Sequence, residues 1–209
     1  MTASQDNQSA TTADSPHQQE SAPTPAGNPL LDVAYIAVFA ALIIALAFVA
    51  IPVGAAGVPI VLQNAAVILA GLILGRTRGF LTALLFLGLG LIGLPVLAGG
   101  KTTLAALGGP TIGYLVSATV AGSIAYLAPR GNRKALTIYL ALGAIAALAC
   151  QYLCGSVGMM FRADMSFGQA LAVNVPFLIP DLVKAACVVA IASGVHLSLP
   201  DIRRKAFLK

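Results

Sequence analysis

Residues 33–75 run Val33-Ala-Tyr-Ile-Ala-Val-Phe-Ala-Ala-Leu-Ile-Ile-Ala-Leu-Ala-Phe-Val-Ala-Ile-Pro52-Val-Gly54-Ala-Ala-Gly57-Val-Pro59-Ile-Val-Leu-Gln63-Asn64-Ala-Ala-Val-Ile-Leu-Ala-Gly-Leu-Ile-Leu-Gly75, a stretch of 43 residues without a formal charge. One membrane-spanning helix needs about 20 apolar residues, so this run is twice too long for a single span. Pro52, Gly54, Gly57 and Pro59 break it near the middle. Proline removes a backbone donor and clashes inside a helix, and glycine is a poor helix former. The stretch therefore predicts two spans, about 30–51 and about 60–75.

The same reasoning extends along the chain. Residues 79–100 are uncharged, and Gly93-Leu-Pro95 ends a third helix near 93. Residues 102–129 supply a fourth helix, starting near Pro110, a residue suited to the first helical turn. A fifth spans 135–161 and a last one about 177–199, giving six, with the 164–180 stretch the least regular. The composition agrees: 58% of the 209 residues are apolar and 9% charged, against about 25% charged in soluble domains. Mean hydropathy is +0.91. A water-soluble globule of this length has too little interior for that apolar surface. The expected fold is an all-α integral membrane domain over 30–199. Residues 1–29, rich in Gln, Ser, Thr, Ala and Pro, form an expected disordered cytoplasmic tail. Residues 200–209 form a basic cytoplasmic C-terminus.

Charge fixes the expected orientation. Arg76, Arg78, Arg130, Arg133, Lys134, Arg203, Arg204, Lys205 and Lys209 fall on one side of a six-span layout, leaving Lys101, Arg162 and Lys184 for the other. The richer side is cytoplasmic by the positive-inside rule, with both termini there. A pI near 9.4 reflects scarce acids rather than a basic patch, so nucleic acid is not an expected partner. The lipid bilayer is.

The outward connections carry the polar chemistry. Residues 52–60 and 94–111 are too apolar to be freely solvated and too rich in Gly and Pro for long helices. Irregular backbone at membrane depth is tolerated where it is buried in protein or lines a wet cavity, which predicts an outward-opening pocket. Residues 162–176 add Arg162, Asp164, Gln169 and Asn174. The sharpest signal is Asp181 with Lys184, three apart and so on one helix face, beside the apolar run 185–195. Charges at such depth cost several kcal/mol unless they pair or face a polar cavity. Two readings stay open: an ion pair that satisfies only itself, or a ligand site in which Lys184 takes an anionic group and Asp181 accepts N–H donors. Gln63 and Asn64 offer further polar contacts, either to a ligand or to a neighbouring helix. Ala37, Ala41 and Ala45 make a small-residue stripe that permits close helix approach, although alanine is abundant enough to produce one by chance.

Other chemistries fare worse. Pro95-Val-Leu-Ala-Gly-Gly-Lys101-Thr102 ends like a phosphate-binding loop, but Pro95 stands where that motif needs glycine, and no strand precedes it. Cys150, Cys154 and Cys187 lie in apolar runs without nearby His or carboxylate partners and are expected to pack rather than bind metal. The histidines are His17 in the tail and His196 near the cytoplasmic end. An enzyme is not expected, and no cofactor is.

Four motifs in order are Val58-Pro-Ile-Val-Leu-Gln63-Asn64, Gly93-Leu-Pro-Val-Leu-Ala-Gly-Gly100, Gly109-Pro-Thr-Ile-Gly-Tyr114 and Ile179-Pro-Asp181-Leu-Val-Lys184. Together they closely resemble the BioY family, the biotin-specific S components of energy-coupling-factor (ECF) transporters. The resemblance covers about residues 30–199. It implies a six-helix S-component fold with a biotin site near the extracellular side, in a prokaryotic cytoplasmic membrane. By matching motif, Asp181 and Lys184 contact the vitamin, with Gln63, Asn64, Gly100, Lys101 and Tyr114 as further candidates. Lys101 stands where relatives carry Asn or Gly, and Leu115 where some carry Arg. The resemblance also implies partners: a transmembrane T component and two cytoplasmic ATPases, docked on an Ala-x-x-x-Ala face matched by Ala37, Ala41 and Ala45. Biotin would be the transported ligand, not a cofactor. The alternatives are an S component for another vitamin and a membrane scaffold without transport.

Overall fold

The computed structural model describes residues 29–51, 60–124 and 133–199. The expected tail up to residue 28, the basic C-terminus 200–209, the break at 52–59 and Arg130 lie outside the described residues.

The described chain is helical apart from one small hairpin. In order it forms α1 (Pro29–Ala47), β1 (Ala50–Ile51), β2 (Ile60–Val61), α2 (Gln63–Leu74), α3 (Arg76–Leu91), α4 (Thr103–Leu107), α5 (Ile112–Ile124), α6 (Arg133–Ala163), α7 (Phe167–Ala172) and α8 (Val175–Ser198). Pro29–Ala47, Ala135–Ala163 and Val175–Ser198 are long and apolar enough to cross a membrane; Gln63–Leu74 and Ile112–Gly122 are apolar but shorter.

Helix bounds shift from the sequence expectation for identifiable reasons. α1 stops at Ala47, not 51, and α2 starts at Gln63, not 60. Between them Ala50 pairs with Val61 and Ile51 with Ile60 in an antiparallel ladder, which takes those backbone groups out of helical bonding. α3 starts at Arg76 rather than 79. Gly75, at φ 86°, turns the chain between α2 and α3 in one residue, a conformation open to glycine without a Cβ penalty. The expected fourth helix is α5, which begins at Ile112, two residues after Pro110; ahead of it α4 is a separate short turn capped by Thr102, whose hydroxyl accepts from the Ala105 N–H at 3.1 Å. The 164–174 stretch contains α7, started by a capping box in which Ser166 and Gln169 satisfy each other's backbone donors.

Two apolar clusters build the interior. One joins Ile68, Leu72, Leu136, Leu140, Leu148, Val188 and Val189, so α2, α6 and α8 share it. The other joins Ala40, Ile43, Val67, Ala83, Phe86 and Val96, from α1, α2, α3 and the loop after α3. α5 packs most extensively on α6. Close approach there needs glycine: a Cβ on Gly113 would collide with the Cys154 carbonyl, and one on Gly155 with the Tyr114 ring.

At one end of the bundle, Arg78 is buried and pairs with Asp32 at 2.6 Å, tying α3 to α1. The pairing is what makes the burial tolerable, since a buried guanidinium needs a carboxylate partner. His196 is also buried, its Nε2 2.8 Å from the Leu72 carbonyl, linking α8 to α2. The loop after α3, α4 and α7 gather at the opposite end, where α2 and α8 begin. Cys150 and Cys154 are half-buried with sulfurs 3.9 Å apart, whereas Cys187 is exposed on the outer face of α8 and does not pack in the core.

Candidate functional site

Asp181 and Lys184 stand in the second and third turns of α8, at the end where α2 and α8 begin. Pro176 opens the helix and Pro180 lies inside it, directly before Asp181. Proline contributes no N–H, so the Pro176 carbonyl loses its usual helical donor just below the site. Asp181 is 5% exposed. Its carboxylate forms an ion pair with the Lys184 ammonium, so the pairing reading of these charges is part of the answer.

It is not the whole of it. Asn64 Nδ2 donates to Asp181 Oδ1 at 3.3 Å, and the Tyr152 hydroxyl donates to Asp181 Oδ2 at 2.7 Å. Lys184 Nζ donates to Asn64 Oδ1 at 3.1 Å and to the Val61 carbonyl at 3.0 Å. Asn64 Oδ1 also accepts from the Ala65 N–H at 3.0 Å. This pattern fixes the amide orientation, because the flipped form would set an oxygen against the carboxylate. Four elements thus converge on one pair of charges: β2, α2, α6 and α8.

The donor and acceptor inventory shows what remains for a ligand. The three Lys184 protons meet three acceptors, and both Asn64 Oδ1 lone pairs are used. Asp181 retains one of about four lone-pair sites, and the Tyr152 oxygen keeps its acceptor capacity. Spare capacity here is therefore acceptor capacity, suited to a ligand that donates N–H.

The remaining candidates are distributed around this cluster. Gln63 turns away from it: its Nε2 donates to the Val96 carbonyl at 2.7 Å, holding the loop after α3 against α2. Gly100 and Lys101 sit on that loop, exposed, and neither is among the described residues bonded to Asp181 or Lys184. The Tyr114 hydroxyl donates to Asn174 Oδ1. Buried Asn174 in turn donates to Ser156 Oγ at 3.0 Å and to the Ala170 carbonyl at 3.2 Å, joining α5, α6 and α7. Tyr114 therefore belongs to a second network beside the first. Ala37, Ala41 and Ala45 lie far from both in sequence and are exposed on α1, while Ala40, Ile43 and Ala47 fill its inner face.

Sequence reasoning does not single out Tyr152, Ser156 or the Val61 carbonyl. A tyrosine within an apolar helix carries no mark of whether it faces lipid or interior, and a backbone carbonyl leaves no trace in composition. For Asn174 the signal exists: an amide in an apolar stretch two residues before a proline.

An apolar helical chain with two charges buried in a multi-helix polar cluster defines an integral membrane protein built around a polar site. The BioY family model matches residues 16–201, and the chain belongs to the BioY family. It is 41% identical over 165 residues to the biotin transporter BioY of Rhodobacter capsulatus, covering 73% of this chain and 86% of that one. It is 39% identical over 162 residues to a probable biotin transporter BioY of Pyrococcus horikoshii, covering 77% and 93%. The crystal structure of the S component for biotin from an ECF-type ABC transporter superposes with a TM-score of 0.70 at 29% identity, covering 81% of this chain and 92% of that one. The fold is that of an ECF S component.

Proposed function

We propose that this chain binds biotin at the Asp181–Lys184 cluster and serves as the substrate-binding subunit of an ECF transporter in a prokaryotic cytoplasmic membrane. Membership in the BioY family over nearly the whole chain carries the reading. The chemistry of the cluster supports it: the ureido ring of biotin offers N–H donors, and Asp181 and Tyr152 have acceptor capacity left. Gln63, Asn64, Gly100, Lys101 and Tyr114 surround the ligand in this reading. Six spans with both termini cytoplasmic put the cluster at the outer face, in keeping with the nine basic residues expected inside. Transport energy comes from a T component and two cytoplasmic ATPases, which dock on Ala37, Ala41 and Ala45.

Retention of radiolabelled biotin by the detergent-purified protein tests the reading. Nanomolar binding, competed by unlabelled biotin and not by riboflavin or thiamin, is expected. Binding of a different vitamin would reassign the substrate, and retention of none would leave a scaffold role.

A further inference from the structure

We infer that Lys101 supplies the cation for the carboxylate of the ligand, while the Asp181–Lys184 pair holds only its neutral, N–H-donating head. The inference rests on the biotin reading above and deepens it.

Lys184 is unsuited to the anionic end. Its three donors already meet Asp181, Asn64 Oδ1 and the Val61 carbonyl. A second carboxylate there displaces one of these or draws Lys184 from Asp181, stranding a buried charge. Among the other described cations, Arg78 is paired with Asp32 at the opposite end of the bundle, where Arg76 begins α3 and Arg133 and Lys134 begin α6. Arg162, in the last turn of α6, lies outside the turn that Gln63 fastens beside the cluster, and the helix C-terminus offsets part of its charge.

Lys101 is exposed and has no ion-pair partner among the described residues. Its backbone is held firmly. Gly99 and Gly100, at φ 74° and 72°, make the tight turn; the Leu97 N–H donates to the Lys101 carbonyl at 2.9 Å and the Gly100 N–H to the Leu97 carbonyl at 3.0 Å. Val96, 1% exposed, plugs the loop into the core. The Gln63 bond to the Val96 carbonyl then fixes this turn to α2 one residue before Asn64, which grips both charges of the pair. Adjacent residues of one helix thus tie the free cation's turn and the neutral polar cluster together. A small molecule with an N–H-bearing ring and a carboxylate on a flexible chain fits that division.

The test compares biotin with biotinamide, which keeps the ring and chain but lacks the charge, on wild type, Lys101→Gln and Lys101→Arg. The expected result is a preference of at least tenfold for biotin in wild type. Lys101→Gln should lose that preference by weakening biotin alone, and Lys101→Arg should restore it. Equal weakening of both ligands by Lys101→Gln, or unchanged biotin affinity, would overturn the inference while leaving biotin as substrate. Failure of wild type to bind either compound would overturn the substrate reading itself, and this inference with it.

Discussion

Asp181 pays for its burial with three donors drawn from three helices: Lys184 on its own helix, Asn64 on α2 and Tyr152 on α6. Removing Lys184 leaves a carboxylate at 5% exposure without its counter-charge. Lys184→Ala is therefore expected to weaken biotin binding at least tenfold, about 1.4 kcal/mol, in a variant that still elutes as a folded monodisperse species. Tyr152→Phe keeps the ring and deletes only the hydroxyl. A hydrogen bond to a charged group contributes about 1.5–3 kcal/mol, so a loss of about tenfold or more in biotin affinity is expected by equilibrium binding, and an unchanged Kd would remove Tyr152 from the site. The two charges are legible in the sequence because few solvents are as hostile to them as a bilayer. Tyr152 is not, because Tyr139 on the same helix is 39% exposed, and nothing in the local sequence separates the two. The register of α6 against α8 does that.

Helix positions in this bundle depend on where backbone meets backbone. Gly71, Gly79 and Gly122 meet at the junction of α2, α3 and α5, where a Cβ on Gly71 would collide with the Gly122 carbonyl and one on Gly122 would crowd the Gly79 carbonyl at 3.0 Å. Gly122→Leu forces these helices apart. Overpacking costs about 1–3 kcal/mol or more, and a lower thermal unfolding midpoint in detergent is the expected readout. Gly88 has open space around its Cβ position, so Gly88→Ala should leave the midpoint unchanged or raise it, since alanine is favoured over glycine in a helix by about 1 kcal/mol. The long apolar segments were readable to within a few residues because periodic breaks in charge and proline mark them. α4 and α7 are harder to find, being too short for any apolar period; only the Ser166 to Gln169 capping box signals the second of them. The hairpin between α1 and α2 depends on the pairing of 50–51 with 60–61, a contact that crosses the proline-rich break.

Across the molecule, the polar cluster and the exposed alanine face of α1 are separate features. Ala41→Trp adds bulk to the outer face without touching Asp181, Asn64, Tyr152 or Lys184. Biotin binding by the purified chain should stay within twofold of wild type, while uptake by cells that also produce the T component and ATPases should fall to background. Surviving uptake would move the docking surface off this helix. Hydropathy, proline and charge placement suffice to define a multi-helix membrane chain, because the bilayer penalises each charge and each unsatisfied backbone group along the chain. They also point to Asp181 and Lys184, the two charges that break the pattern. Composition leaves open whether that pair is self-contained or part of a larger polar assembly. Packing answers that, since Asn64, Tyr152 and the Val61 carbonyl come from segments 29 to 123 residues away in the chain, and their approach depends on glycine-mediated contacts between helices that no local pattern encodes.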